Sequence, residues 1–266
     1  MAQCADEVTA ALDSYRFDEA ANRLYHFVWG TFCDWYLEFT KPILQSADAA
    51  GGAETRATTA WILGHILHLL HPIMPFVTEE IWEQLGNGAA GMLISAPWPD
   101  SDTGAFDPEA VEEMEWVVQA ISAIRALRTE MNVPPSARLP FGLKDPEPVA
   151  AQRIERHREH FVRLARVEVL EPTEMPSSDG VPAVIEGATL VLGMGGVVDL
   201  PREKERLDRE IRKMDVELTK IAAKLANPNF LAKAKPEVVD EQREREADMT
   251  RDRDRLKAAY DRLTVG

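Results

Sequence analysis

LPREKERLDREIRKMDVELTKIAAKL, residues 200–225, decides the architecture of this chain. Its apolar positions Leu200, Leu207, Ile211, Met214, Leu218, Ile221 and Leu225 fall at spacings of 7, 4, 3, 4, 3 and 4, with charged residues filling the places between. An apolar seam repeating every three and four residues is the signature of a helix that pairs with another helix. Asn227, Pro228, Asn229 and Pro236 break the pattern, and Val239, Gln242, Glu246, Met249, Arg253, Leu256, Tyr260 and Leu263 resume it, more polar in its first half. Two helices of similar length on either side of a short loop predict an antiparallel coiled-coil hairpin over residues 200–266, about 40 Å long at ~1.5 Å per residue.

Upstream the periodicity changes. Phe17 to Leu44 carries a broad apolar stripe that includes Leu24, Phe27, Phe32, Trp35 and Tyr36, and predicts a helix that Pro42 kinks or ends. An Ala-Ala-Gly-Gly turn at 49–52 precedes a second helix from Glu54 to about Leu70, and Pro75 and Gly86 bracket a third. Residues 1–86 therefore read as a helical bundle. Gly, Pro, Ser and Asp dominate residues 87–107, a surface connection. Residues 108–199 mix a helix from Pro108 to Met131 with strands near 139–143, 167–170, 183–185 and 189–192 and a helix over 148–165, a small mixed α/β domain whose last two strands turn at Gly187-Ala188. The fold class expected is mainly α: bundle, small α/β domain, coiled-coil hairpin.

Charge divides the chain unevenly. The 266 residues carry a net charge of -15, which on average opposes binding to phosphates. Residues 1–199 hold 13 Lys and Arg against 30 Asp and Glu, whereas residues 200–266 hold 17 against 15, so the acidic excess ends where the seam begins. Cys4 and Cys33 have neither disulfide-framework nor zinc-ligand spacing, and the most apolar stretch, Trp61 to Phe76, is cut by Gly64, three histidines and two prolines, so no membrane span is expected. A soluble, cytoplasmic protein is the expectation.

The chemistry-bearing residues give no catalytic constellation. His65, His68 and His71 have partial metal-ligand spacing, but His71 is rotated away and no carboxylate lies in the run, so no metal is expected. Gly193-Met194-Gly195-Gly196 runs into Val197-Val198-Asp199 instead of a Lys-Ser/Thr helix start, which reads as a turn and not a phosphate loop. Nucleic-acid contact is the remaining candidate. Arg206, Arg209, Arg212, Lys213, Lys220 and Lys224 line the first seam helix, and Lys233 and Lys235 beside Phe230 make the hairpin tip basic. In the bundle, Trp29, Phe32 and Trp35 belong to an aromatic group dense enough to stack unpaired bases. The same features also fit a scaffold that binds only proteins.

Four stretches carry a resemblance. FVWGTFCDWYLEFTKP (27–42) and HPIMPFVTEEIWEQL (71–85) resemble the anticodon-binding bundle of the class I synthetases for Val, Leu and Ile. ISAIRALRTEMNVPP (121–135) resembles the entry to the small domain that follows it, and the seam with its Asn227-Pro228-Asn229-Phe230 and Lys233-Ala234-Lys235-Pro236 loop resembles the terminal coiled coil of the bacterial valyl-tRNA synthetase family, which favours that family over the isoleucyl and leucyl enzymes. The resemblance implies tRNA-Val as partner, gripped at the anticodon and outer corner, and ATP-dependent attachment of valine in a catalytic domain outside this segment. It further implies that the editing domain and the first bundle helix precede residue 1, and that the segment itself carries no catalytic residue and no cofactor.

Overall fold

In a computed structural model the described residues are 1–86, 91–99, 107–170, 176, 180–194, 197–227, 230 and 236–263. They are mainly helical, with one four-stranded sheet, and divide into two compact units, Met1–Glu112 and Glu113–Gly266.

The first unit is all helix. α1 (Ala2–Asp13), which the periodicity reading does not anticipate, buries Cys4, Ala5, Val8 and Ala11 against Ala20, Leu24 and Leu69. Small residues on this face let the helices approach closely, and burial pushes the Cys4 thiol up to about 11, an inert packing group. The chain turns at Tyr15, whose positive φ of 59° is held by the bonds from Tyr15 N–H to the Leu12 carbonyl and from Arg16 N–H to that of Ala11.

α2 (Phe17–Tyr25) runs without a break through a wider π-helical stretch, His26–Tyr36, into α3 (Leu37–Gln45). Pro42 does not stop α3, which continues for three more residues with the proline ring buried. The expected start of the next helix also moves. α4 spans Ala49–Leu70 and takes in the Ala-Ala-Gly-Gly segment, because the Asp48 carboxylate caps it, accepting from the N–H groups of Ala50 and Gly51 at 3.1 Å each. A Cβ at Gly51 would press on the capping carboxylate and push it aside. α5 (Pro75–Gln84) begins at its proline and stops ahead of Gly86, which sits at φ +82°. Residues 91–99 are fastened to this unit: Glu79 accepts from the N–H groups of Leu93 and Ile94, and the Trp98 indole donates to Thr9 Oγ1 at 2.9 Å.

In the second unit, α6 (Pro108–Glu130) carries a buried face of Trp116, Val117, Ala120, Ile121, Ile124 and Leu127, spaced three and four apart. β1 (Leu139–Lys144) pairs in parallel with β2 (Val167–Val169) and antiparallel with β4 (Ala188–Gly193), which pairs antiparallel with β3 (Gly180–Ile185), giving the order β2-β1-β4-β3. The parallel pair requires a crossover. That crossover is α7 (Pro148–Arg156), then α8 (Arg158–His160) and a π-helical turn over Phe161–Ala165. Phe161 stacks on Phe141 of β1 at 6.0 Å, both fully buried. Glu186 and Gly187 close the β3–β4 hairpin, with Gly187 at φ +72°.

The link between α6 and β1 is held by a buried cation. Arg128, 8% exposed, donates through Nη1 to the Arg166 carbonyl at 3.2 Å and through Nη2 to the carbonyls of Pro134 and Ala137 at 3.2 and 2.8 Å. Arg125 Nε reaches the Leu164 carbonyl at 2.9 Å, and Arg166 Nη1 that of Pro135 at 2.8 Å. Three arginines thus satisfy carbonyls that neither helix nor sheet uses. Two further helices, α9 (Leu200–Leu225) and α10 (Pro236–Arg262), complete the unit.

Arg128→Met should destabilise the second unit by about 1–3 kcal/mol, because three carbonyls of the connections lose the guanidinium donor that joins them; denaturant unfolding followed by circular dichroism measures the loss. A second test uses pH. Burial pushes the Glu113 carboxyl up, but hydrogen bonds from His157 (2.7 Å) and Arg156 (2.5 Å) outweigh it and hold it below the usual 4.5. A carboxyl lowered by folding stabilises above its unfolded pKa and loses that contribution as pH falls through its folded value. Glu113→Gln should therefore lower stability at pH 7 and flatten its decline below about pH 4.5.

Candidate nucleic-acid interface

α9 and α10 lie against each other in opposite directions: Lys204 Nζ sits 5.3 Å from the Tyr260 ring centroid, and Arg253 reaches Asp215 at 3.4 Å. Leu207, Ile211 and Ile221 of α9 are buried, as are Val239 and Ala259 of α10. Asp199 caps α9 by accepting from Arg202 N–H at 3.1 Å, and Pro201 occupies the first turn.

The root of this pair is tied to the α6–β1 turn. Asn132, at a positive φ of 49°, donates from Nδ2 to Glu203 Oε1 at 3.2 Å. Glu203 is 8% exposed and also receives Arg206, whose Nη1 reaches Glu210 at 2.8 Å. The hydrogen bonds it donates to Glu203 raise the Arg206 pKa further above its ordinary value. Glu130, at the end of α6, pairs with Arg262 near the end of α10. Both helices of the pair are therefore anchored at one end, α9 by an amide–carboxylate hydrogen bond and α10 by an ion pair.

The basic residues of α9 differ in how far they are occupied. Arg206 is committed to two carboxylates. Arg212 pairs with Asp208 at 2.8 Å and Lys220 with Glu217 at 2.6 Å, both on the surface. Surface pairs of this kind hold by at most ~1 kcal/mol and yield readily to a phosphate. Arg209 and Lys213 are exposed and make no ion pair with any described residue. Lys224 places its ammonium 4.9 Å from the Phe230 ring centroid, a cation–π contact that joins a residue expected on the first seam helix to one expected at the tip. Lys233 and Lys235 lie outside the described residues, as do Gly195 and Gly196.

The three bundle aromatics part company. Trp29 is 60% exposed, Phe32 is 7% exposed and stacks on Tyr36 at 5.6 Å, and Trp35 is half-buried against Phe39 at 5.8 Å. A π stretch hydrogen-bonds to the fifth residue, so it rotates side chains away from the faces that a 3.6-residue period assigns. The histidines of α4 are engaged locally. His65 and His68 donate from Nδ1 to the carbonyls four residues back, at 2.9 and 2.8 Å, and His71 Nδ1 meets Thr78 Oγ1 at 2.8 Å. No described group of three or more His, Cys, Asp or Glu side chains forms a metal cluster, and no described helix is long and apolar enough to cross a membrane.

A helical unit with exposed aromatic rings, followed by a paired-helix element with exposed cations, has a chemistry suited to RNA. The comparisons with known proteins agree. Residues 1–142 match the family described as the anticodon-binding domain of tRNA ligase, and the chain belongs to that family. Residues 199–264 match the valyl tRNA synthetase tRNA binding arm. Among full-length relatives the similarity is to valine–tRNA ligases. That of Caulobacter vibrioides is 46% identical over 260 residues, covering 97% of this chain, that of Granulibacter bethesdensis 46% over 259 and that of Rhizobium meliloti 42% over 263. The chain spans 27–29% of the length of these three relatives.

Ile211→Asp should separate α9 from α10, since it places an unpaired charge in their buried contact. Limited proteolysis should then cut within residues 200–262 while a fragment containing residues 1–112 resists as in the wild type.

Proposed function

We propose that this chain is the tRNA-gripping part of a valine–tRNA ligase, with residues 1–86 as the bundle that reads the anticodon, 87–107 as a connection, 108–199 as a spacer domain and 200–266 as a coiled-coil arm that packs on the outer corner of tRNA-Val. The observation that carries this reading is the order of the two matches, an anticodon-binding domain over 1–142 and a tRNA-binding arm over 199–264. In the parent reaction valine is activated with ATP and esterified to tRNA-Val in the cytoplasm, and the catalytic and editing domains belong to the rest of the parent protein.

Within the arm, Arg209 and Lys213 are the strongest phosphate ligands, because both are exposed and neither makes an ion pair with a described residue. Arg212, Lys220 and Lys224 exchange weak surface contacts for phosphate oxygens, and Lys233 and Lys235 add charge at the tip. Arg206 acts indirectly, by holding the root of the arm through Glu203 and Glu210. Phosphate contacts of this kind set orientation, and unpaired bases supply discrimination.

The test is a titration of the chain with tRNA-Val and a non-cognate tRNA at several salt concentrations. Wild type should prefer tRNA-Val. Arg209→Ala/Lys213→Ala should weaken binding to all tRNAs and make the slope of log K against log salt shallower by about 1 to 2 units. No measurable tRNA binding by the wild-type chain would overturn the reading and leave a protein-binding scaffold.

A further inference from the structure

Positive charge collects at one end of the four-stranded sheet. Residues 125–138 hold three arginines against one glutamate, and residues 163–166 hold two arginines and no acid, although residues 1–199 as a whole are strongly acidic. The register of the parallel pair brings these two segments together. Leu139 pairs with Val167, so Arg138 and Arg166, each one residue earlier, stand side by side at the start of neighbouring strands, about 5 Å apart across the sheet. Both are exposed, and neither makes an ion pair with a described residue.

We propose that Arg138 and Arg166 form a phosphate-binding site through which the small α/β domain holds the backbone of a bound tRNA, a contact additional to those of bundle and arm. The proposal rests on the tRNA-binding reading above and gives the domain between the two matched regions a contact of its own; Arg166 falls in residues 143–198, which neither match covers.

The site is built in advance. Arg166 Nη1 donates to the Pro135 carbonyl at 2.8 Å, which lays its guanidinium on the turn that leads to Arg138 and leaves other N–H groups of the fork to meet an anion. Arg166 also sits at φ +54°, a left-handed conformation that glycine or asparagine adopts at lower cost, and Arg128 holds it there by donating to its carbonyl at 3.2 Å. An arginine kept against backbone preference is accounted for by what its side chain does. Arg128 is buried and bonded to three carbonyls of these two connections, so its charge reaches an anion with little screening by water. Arg125 adds a fourth guanidinium, its Nε fixed to the Leu164 carbonyl at 2.9 Å.

Nearby acids do not neutralise the pair. Glu130 is taken by Arg262, and Glu168, exposed two residues beyond Arg166, forms no ion pair with either arginine. A phosphodiester backbone is favoured over an acidic protein surface because Asn132 of the same turn fastens the root of the arm through Glu203. The arginine pair and the exposed cations of α9 thus belong to one compact unit and can engage one polyanion together.

The experiment titrates the chain with a tRNA-Val transcript at several salt concentrations and follows fluorescence anisotropy. Arg138→Gln, which breaks no ion pair with a described residue, should weaken binding by about 5- to 10-fold at about 0.1 M salt and make the slope of log K against log salt shallower by about 1; Arg138→Gln/Arg166→Gln should make it shallower by about 2. Lys144→Gln removes the same charge at the far end of β1 and should leave affinity within about twofold of wild type and the slope unchanged. Circular dichroism confirms folding, and if the double variant, which loses the bond to Pro135, is unfolded, Arg138→Gln alone decides. Unchanged affinity and slope in a folded variant, with the wild type binding tRNA, overturns the site and leaves the arginines to a protein partner. A loss as large in Lys144→Gln overturns it as well, as a diffuse charge effect. Inorganic phosphate added at constant ionic strength should not displace the tRNA; displacement at millimolar concentration that Arg138→Gln abolishes makes the pair a site for free phosphate and overturns its assignment to RNA. A wild-type chain that binds no tRNA overturns both this proposal and the reading beneath it.

Discussion

The second unit depends on one buried guanidinium. Arg128 leaves the last turn of α6 and donates to carbonyls at Pro134, Ala137 and Arg166, which belong to two different connections. Burial lowers its pKa and the neighbouring Arg166 lowers it further, yet it remains a cation solvated by backbone dipoles. A planar fork of donors suits this task, because it meets several acceptors at once in fixed directions, which a lysine cannot reproduce. By fixing the turn between α6 and β1 it also fixes Asn132, and Asn132 is where Glu203 and the root of α9 attach. Sheet, α6 and paired helices thus share one anchoring region.

That anchoring bears on how an acidic chain can hold RNA. With 30 acidic against 13 basic residues in positions 1–199, long-range attraction is absent over most of the sequence, and contact must be local. The arm supplies cations, and the arrangement of pairs along α9 decides which are available. Lys213 stands at helical spacing from both Glu210 and Glu217, but Arg206 takes Glu210 and Lys220 takes Glu217, and Lys213 makes no ion pair with a described residue. Competition within a single helix sorts its basic residues into structural and available ones.

The same competition explains which parts were legible in the sequence. The seam of α9, the bounds of α6 and the turn at Gly187 follow from local periodicity and backbone chemistry, and the observed elements lie within a few residues of the expected ones. Periodicity did not reveal α1, whose buried face is mostly alanine and cysteine and gives little hydropathy contrast, or the early start of α4, which depends on one carboxylate at Asp48 outweighing two glycines. The candidate site was less legible. Residue type identified the basic set on α9, but the partner of each charge depends on rotamers and on neighbours already taken. For the aromatic residues the difficulty is one of phase, since a π stretch from His26 to Tyr36 turns Phe32 inward while Trp29 stays outside.

A rigid root and an acidic body place related demands on the arm. A lever about 40 Å long magnifies any tilt at its base, so a contact made far along α9 or α10 can be specific only if the base is stiff. The root meets this with two ties, Asn132 to Glu203 of one helix and Glu130 to Arg262 of the other. Because the ties come from opposite ends of the chain's last 67 residues, neither helix can pivot without breaking one of them. Each tie holds a carboxylate partly shielded from solvent, where geometry is more demanding than in an apolar contact and the cost of an unpaired charge is larger. Apolar packing at Leu207 and Ile211 supplies cohesion next to these ties, and the charged pairs select a single orientation for it.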